Sequence, residues 1–238
     1  HEICLQRLPV ILAIDRAGLV GEDGPTHHGV FDLAYLRVLP NLAVLSPKDP
    51  DELRAMLGWA LEQDAPVAIR YARGGIVCGE PFGKTAKMVS GEAEVLREGR
   101  DVALLALGSM VYPALQVAET LAHEGVDAAV INARFVKPID RKMIKEVAQR
   151  TGRIVTLEEA QIAGGFGSAV SEVLDELGQS AIPHLRIGLP DQFVEHGHRS
   201  QLLRVCELDP EHLTARIASW CQTDRPSANL PLVIEPSR

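Results

Sequence analysis

The chain has 238 residues, 46% of them hydrophobic and 24% charged, and its 24 basic against 32 acidic side chains leave a formal net charge of −8. That length and apolar content suffice for one large or two ordinary globular domains, each with a real core. The acidic balance argues against a general nucleic-acid role, because a phosphate backbone asks for a basic face, and no apolar run approaches the roughly 18–20 residues of a membrane span.

The chain opens without Met on HEICLQRL, which reads as the end of a helix stopped by Pro9 and uncapped before it. Residue 1 is therefore expected to be a cut point, with a substantial part of the protein upstream. Apolar, β-rich runs at 10–15, 42–45, 67–71, 102–107, 128–132, 154–158 and 184–187 alternate with helix-period runs. Such short runs, apolar on both faces, suit a parallel sheet covered by helices on either side. Over 50–63, Leu53, Met56, Leu57 and Ala60 form one helical stripe. Asp49 caps this helix, Pro50 takes its first position and Glu52 its third, as in a capping box.

Glycines at 74, 75, 79, 83, 91 and 99, with Pro81, mark a linker. GEAEVLREGRDVALLALG then reads as a hairpin entering a fresh β-α-β series. A boundary falls near residue 85. Residues 1–85 read as the later part of an α/β unit, 86–222 as a complete small α/β domain, and 223–238 as an extended tail with three prolines. Val170, Val173, Leu174 and Leu177 give another helical stripe, and Asp209–Pro210 opens a last helix. Cys4, Cys78, Cys206 and Cys221 form no CxxC pair, as expected of buried thiols in a reducing cytosol.

Ligands of open parallel sheets collect at the carboxyl ends of strands. Two such ends carry arginines: AIDRAG with Arg16, and VAIRYARGG with Arg70 and Arg73. A guanidinium binds phosphate bidentately and stays charged, so Arg16 and Arg73 could make a local anion site; the alternative is surface charge paired with Asp15 and Asp23. Alternation along the strand turns Arg70 away. Between the two ends runs GLVGEDGPTHHGVFD, whose glycines admit close approach of a ligand. Its adjacent His27 and His28 should point in different directions, one to a ligand and one into packing. Asp23 could hold an imidazole or a substrate hydroxyl. No third metal ligand stands at a recognisable spacing. In EEAQIAGGFGSAV the glycines fit tight helix–sheet packing or a subunit contact better than phosphate binding, and His196 and His198 of PDQFVEHGHRS read as a loop and helix start.

Taken together, LPVILAIDRAGLVGEDGPTHHGVFDLAYLR, PKDPDELRAML, RYARG, ARFVKPID, EEAQIAGGFGSAV and IGLPDQFVEHG resemble the family of 1-deoxy-D-xylulose-5-phosphate synthases, thiamine diphosphate-dependent, transketolase-like transferases. The resemblance runs in order from residue 1 to about 222. It implies a parallel-sheet α/β fold: the latter part of a pyrimidine-binding domain followed by a transketolase C-terminal-like domain. It also implies decarboxylative condensation of pyruvate with D-glyceraldehyde 3-phosphate, feeding isoprenoid, thiamine and pyridoxal synthesis.

By the same resemblance, Arg16 and Arg73 hold the acceptor's phosphate, His27 lies near the reacting carbon, and Asp23 is placed by the acceptor. The residues that bind thiamine diphosphate and Mg²⁺ are expected upstream of His1, with neither cofactor nor metal ligands in this chain. A cytoplasmic homodimer, incomplete without the N-terminal part of the same enzyme, is the implied setting. Ala72 stands where the family usually has proline. The alternatives are a transketolase, a 2-oxo-acid dehydrogenase β-subunit, or a non-catalytic dimerisation module with AGGFGSAV as its contact helix.

Overall fold

The computed structural model describes residues 1–73 and 88–223. The expected boundary near residue 85, Cys78, and the tail from residue 224 onward lie outside the described residues.

A short helix α1 (Glu2–Leu5) leads into strand β1 (Ile11–Ile14), followed by helix α2 (Asp32–Leu36), strand β2 (Ala43–Leu45), helix α3 (Pro50–Leu61) and strand β3 (Val67–Arg70). β1 and β2 flank β3, both parallel to it. Asp49 caps α3 as its sequence predicts, accepting a 2.7 Å hydrogen bond from the Glu52 N–H. The predicted stripe is only partly used: Met56 and Ala60 are buried, whereas Leu57 is exposed.

The second sheet is built from β4 (Glu94–Arg97), β5 (Val102–Ala106), β6 (Ala128–Asn132), β8 (Ile154–Gln161) and β9 (His184–Leu189), in the order β4-β6-β5-β8-β9. Helices α4 (Val111–His123), α5 (Arg141–Thr151), α6 (Phe166–Glu176), α7 (Arg199–Val205) and α8 (Pro210–Thr223) accompany it. The expected hairpin between β4 and β5 does not form. β5 is buried along its whole length and parallel-paired on both sides, to β6 and β8, so it offers no free edge. β4 pairs antiparallel with the outer edge of β6 instead.

The remaining strand, β7 (Phe135–Lys137), follows β6 in the chain but joins the other sheet, antiparallel to β2. Phe135 anchors it, 1% exposed and edge-on to Trp59 of α3 at 5.4 Å. Burying such a ring contributes about 1.5–3 kcal/mol. Lys137 Nζ donates to the carbonyls of Arg37 and Leu39, just beyond α2.

The units on either side of the linker therefore share one interior. One apolar cluster joins Leu33, Leu36 and Val44 to Leu105, Ile131 and Phe166. Beside it lies a buried polar knot. Glu52 Oε1 accepts from Asn132 Nδ2 at 2.7 Å and Arg134 Nε at 2.8 Å, and pairs with Lys48 Nζ at 3.1 Å. Glu94 Oε2 lies 3.3 Å from Lys48 Nζ and 2.9 Å from Arg134 Nη2. Asp49 Oδ2 adds a third carboxylate 3.8 Å from Lys48 Nζ, so both buried cations are countered, as buried charge requires.

Candidate active site

β1 and β3 run side by side in register, Ile14 opposite Arg70. The Tyr71 N–H donates to Ile14 O at 2.9 Å and the Ala17 N–H donates to Tyr71 O at 3.0 Å. The chain thus leaves both carboxyl ends at one place, with Arg16 and Arg73 emerging there. Arg16 sits at φ +62°, a left-handed conformation that costs a residue with a Cβ roughly 1–2 kcal/mol.

The loop that follows closes on itself. Gly18 and Gly29 exchange backbone hydrogen bonds, 2.8 and 3.0 Å, and the Gly29 N–H also reaches Arg16 O. A Cβ on Gly29 would lie 2.2 Å from Arg16 O, so only glycine permits this approach. Arg70 fixes the far end of the loop: buried, it donates to Asp32 through Nε and Nη2 at 2.7 and 3.2 Å and to Gly29 O at 2.9 Å. It braces the loop and takes no place at the anion cluster.

Within the loop, Asp23 ends a single 3₁₀ turn (Gly21–Asp23). Its carboxylate contacts Arg73 Nη1 and lies 3.6 Å from Arg16 Nε. Asp15 takes the other end of the same guanidinium, 2.5 Å from Nη1. Arg16 Nε is hidden from solvent and makes no hydrogen bond among the described residues. Arg16, Asp23 and Arg73 are therefore brought together.

The two histidines part. His28 is buried; its Nδ1 accepts from the Val20 N–H at 3.1 Å, and its Nε2 lies 3.4 Å from Glu195 O. An accepting Nδ1 leaves the proton on Nε2. His27 is exposed, its Nδ1 3.0 Å from Thr26 Oγ1. It shares the loop with the arginine–aspartate cluster, and no bond between them is present among the described residues.

Two adjacent carboxylates on β8, Glu158 and Glu159, are 1% and 2% exposed. Glu158 accepts from the Phe166 and Gly167 N–H groups at 2.7 and 2.8 Å, filling the N-terminus of α6 where a phosphate would otherwise sit. Burial pushes Glu158 up to about 7, against the two backbone donors that pull it down. The apolar face of α6 is spent on the chain's own core, with Val170, Val173 and Leu174 all buried. Glu159 accepts from the Leu19 N–H at 2.8 Å and from Ser109 Oγ at 2.5 Å, and pairs with Arg199. Sequence reasoning passed over this residue. Its signal was present: two acids inside a strand whose every residue is buried.

Arg73 and Arg199 also line a cleft of about 610 Å³ between the two units, shared with Lys48 and Tyr112. Among the described residues no cluster of three or more His, Cys, Asp or Glu side chains could hold a metal ion, and no helix is long and apolar enough to cross a membrane.

Two α/β units joined through a shared core, with a glycine-closed loop at a sheet's carboxyl edge, match known proteins over nearly the whole chain. Residues 1–76 match the transketolase pyrimidine-binding domain and residues 91–213 the transketolase C-terminal domain, so the chain belongs to the transketolase family. Within it, 1-deoxy-D-xylulose-5-phosphate synthase 1 of Geobacter metallireducens is 53% identical over 221 residues, 92% of this chain and 35% of the relative. The 1-deoxy-D-xylulose-5-phosphate synthase of Thermomicrobium roseum is 52% identical over 224 residues, 94% of this chain and 36% of the relative. This chain thus spans about a third of the length of the curated relatives it matches.

Among solved structures, a split-gene transketolase described as an inactive β4 tetramer superposes with a TM-score of 0.82 at 38% identity, covering 94% of this chain and 70% of that one. Transketolase of Campylobacter jejuni superposes at 0.70 and 24% identity, covering 91% of this chain and 32% of that one, a likeness of fold.

Proposed function

We propose that this chain supplies the acceptor side of a 1-deoxy-D-xylulose-5-phosphate synthase, the enzyme that condenses pyruvate with D-glyceraldehyde 3-phosphate and releases CO₂. The higher identity to two such synthases than to the split-gene transketolase supports this chemistry over a transketolase's. The α6 face buried in the chain's own core counts against a module built only to dimerise through that helix.

The observation that carries the reading is the pair of guanidiniums of Arg16 and Arg73 on one carboxylate, with Arg16 Nε hidden and without a hydrogen-bond partner among the described residues. A buried N–H left unpaired is costly unless a ligand completes it, and a phosphate has the oxygens to do so. In this reading the arginines grip the phosphate, and that remote binding energy orients the aldehyde. Asp23 yields the arginines to the phosphate and turns to the acceptor hydroxyl. His27, exposed on the same loop, donates a proton to the aldehyde oxygen as it becomes an alkoxide.

Thiamine diphosphate, when bound, supplies the carbon nucleophile. The described residues contain no carboxylate cluster suited to its Mg²⁺; we place the diphosphate and metal contacts on residues outside this chain. The same reading expects a cytoplasmic homodimer that feeds isoprenoid, thiamine and pyridoxal precursors, and no turnover by these 238 residues alone.

The test is single replacement of Arg16 and Arg73 by Ala in an enzyme that contains this chain, assayed with pyruvate and D-glyceraldehyde 3-phosphate. The KM for the aldehyde should rise about tenfold or more in each while that for pyruvate holds. An unchanged aldehyde KM in both variants removes the phosphate assignment. Carboligation by the isolated chain would refute its dependence on further residues.

A further inference from the structure

Side chains alternate along β8, so Glu158 and Glu159 serve opposite faces of the sheet. Glu158 turns to α6, whereas Glu159 turns across to the loop of the first unit, 140 residues earlier in the chain. There it meets a built receptor. Its Oε1 takes the Leu19 N–H, and its Oε2 takes Ser109 Oγ and the Arg199 guanidinium. Arg199 Nε in turn donates to Leu19 O at 3.2 Å. Both backbone groups of Leu19 are thus held by one ion pair. The Leu19 side chain is fully buried in the apolar cluster of the second sheet, with Val155, Leu157 and Ile187. A Cβ on Gly18 would come within 2.6 Å of the Glu159 carboxyl, so no larger residue allows the carboxylate this close.

We propose that Glu159 is a positioning residue for the acceptor loop. From the C-terminal unit it fixes Leu19, and through Leu19 it sets where Arg16, Asp23 and His27 stand relative to one another. The proposal rests on the reading of that loop as the phosphate and proton-transfer site. Arg16 lies three residues before the clamp, and Asp23 four after it. A buried carboxylate held by a hydroxyl and a guanidinium has one geometry, and the loop inherits it. Anchoring by apolar packing alone would let Leu19 slide along its axis; hydrogen bonds to both its N–H and its C=O do not.

The experiment uses an enzyme that contains this chain, reading amide hydrogen exchange and D-glyceraldehyde 3-phosphate binding in parallel for Glu159→Ala, Glu159→Gln and Arg16→Ala. Glu159→Gln keeps an oxygen for the Leu19 N–H and removes the negative charge that faces Arg199; it should speed exchange at Leu19 and weaken binding about threefold. Glu159→Ala should accelerate exchange across 17–28 and weaken binding about tenfold or more. Arg16→Ala should weaken binding with exchange at Leu19 unchanged. If Arg16→Ala weakens binding while both Glu159 variants bind like the parent, the positioning role is overturned and the phosphate reading stands. If Arg16→Ala binds like the parent, the phosphate reading falls and exchange decides: acceleration confined to 17–28 keeps Glu159 as the loop's anchor, and acceleration everywhere or nowhere removes it. Should Glu159→Ala fail to fold, Ser109→Ala, which removes one hydroxyl from the carboxylate, is read in its place with the same signs expected.

Discussion

The carboxylate of Asp23 lies against the guanidinium of Arg73, and the same oxygen faces Arg16 Nε at 3.6 Å. Together with Asp15, the two arginines are neutralised by the protein's own acids. An arriving phosphate must compete with Asp23 for them. Asp23→Asn leaves the group with a net positive charge and should tighten inorganic phosphate binding about two- to fivefold, the scale of partly exposed ion pairs. The gain should shrink as salt is raised from 0.05 to about 0.5 M. Calorimetric titration at both ionic strengths reads it, and weaker binding in the variant would show that Asp23 assists the anion.

The pH dependence of stability carries two opposed contributions. His184 is bonded between Thr156 Oγ1 and Ser171 Oγ, and burial, with Arg186 nearby, lowers its pKa from 6.5 to about 4. Its contribution is complete above pH 6.5 and is lost as pH falls through 4. Glu158 is raised from 4.5 to about 7, so its contribution is complete below pH 4.5 and is lost as pH rises through 7. Each is on the order of 3 kcal/mol. Between pH 4.5 and 6.5 the slopes oppose, and the parent profile should be nearly flat. His184→Asn should tilt it to fall with rising pH, and Glu158→Gln should tilt it to rise. Urea unfolding at four pH values separates the three curves; parallel curves would dismiss both assignments.

Two glycine replacements should move stability in opposite directions. Gly18→Ala combines a φ of +80° with a contact to Glu159 inside 3 Å, and should cost about 2–4 kcal/mol. Gly58 lies inside α3 with nothing within 4 Å of an added Cβ, so Gly58→Ala should stabilise by about 0.5–1 kcal/mol. Thermal melts of the two variants check the pair.

Glu52 is fully buried and holds Lys48, Asn132 and Arg134. Glu52→Ala removes the fully buried carboxylate that Lys48 and Arg134 share, leaving both cations to Glu94 and Arg134 Nε without its acceptor, and should cost about 3–5 kcal/mol. Because its partners come from both sides of the linker, scanning calorimetry of the variant should show two transitions where the parent shows one. A single, slightly shifted transition would mean that apolar contacts alone couple the units.

Local signals were the legible ones. The strand at 128–132 and the Asp49 cap are where periodicity and cap chemistry put them, because neither depends on distant residues. So is the parallel α/β class. β7 was not legible: three residues after Arg134 owe their strand to Trp59 and β2, far off in sequence. Glu52 read as a capping residue, but its Oε2 takes the Lys48 N–H and its Oε1 ties the two units together. Arg16, Asp23 and Arg73 could be nominated from strand-end position and a familiar motif. Their brace, Glu159 with Arg199, is set by the fold of the other unit, and no local spacing announces it.

β7 also bears on how such proteins can be taken apart. A chain severed in the glycine-rich linker would leave β2 with its ladder of amides and carbonyls bare on one side, an invitation to intermolecular pairing. A recombination breakpoint there would therefore yield sticky halves, and the smallest exchangeable piece retains both sheets.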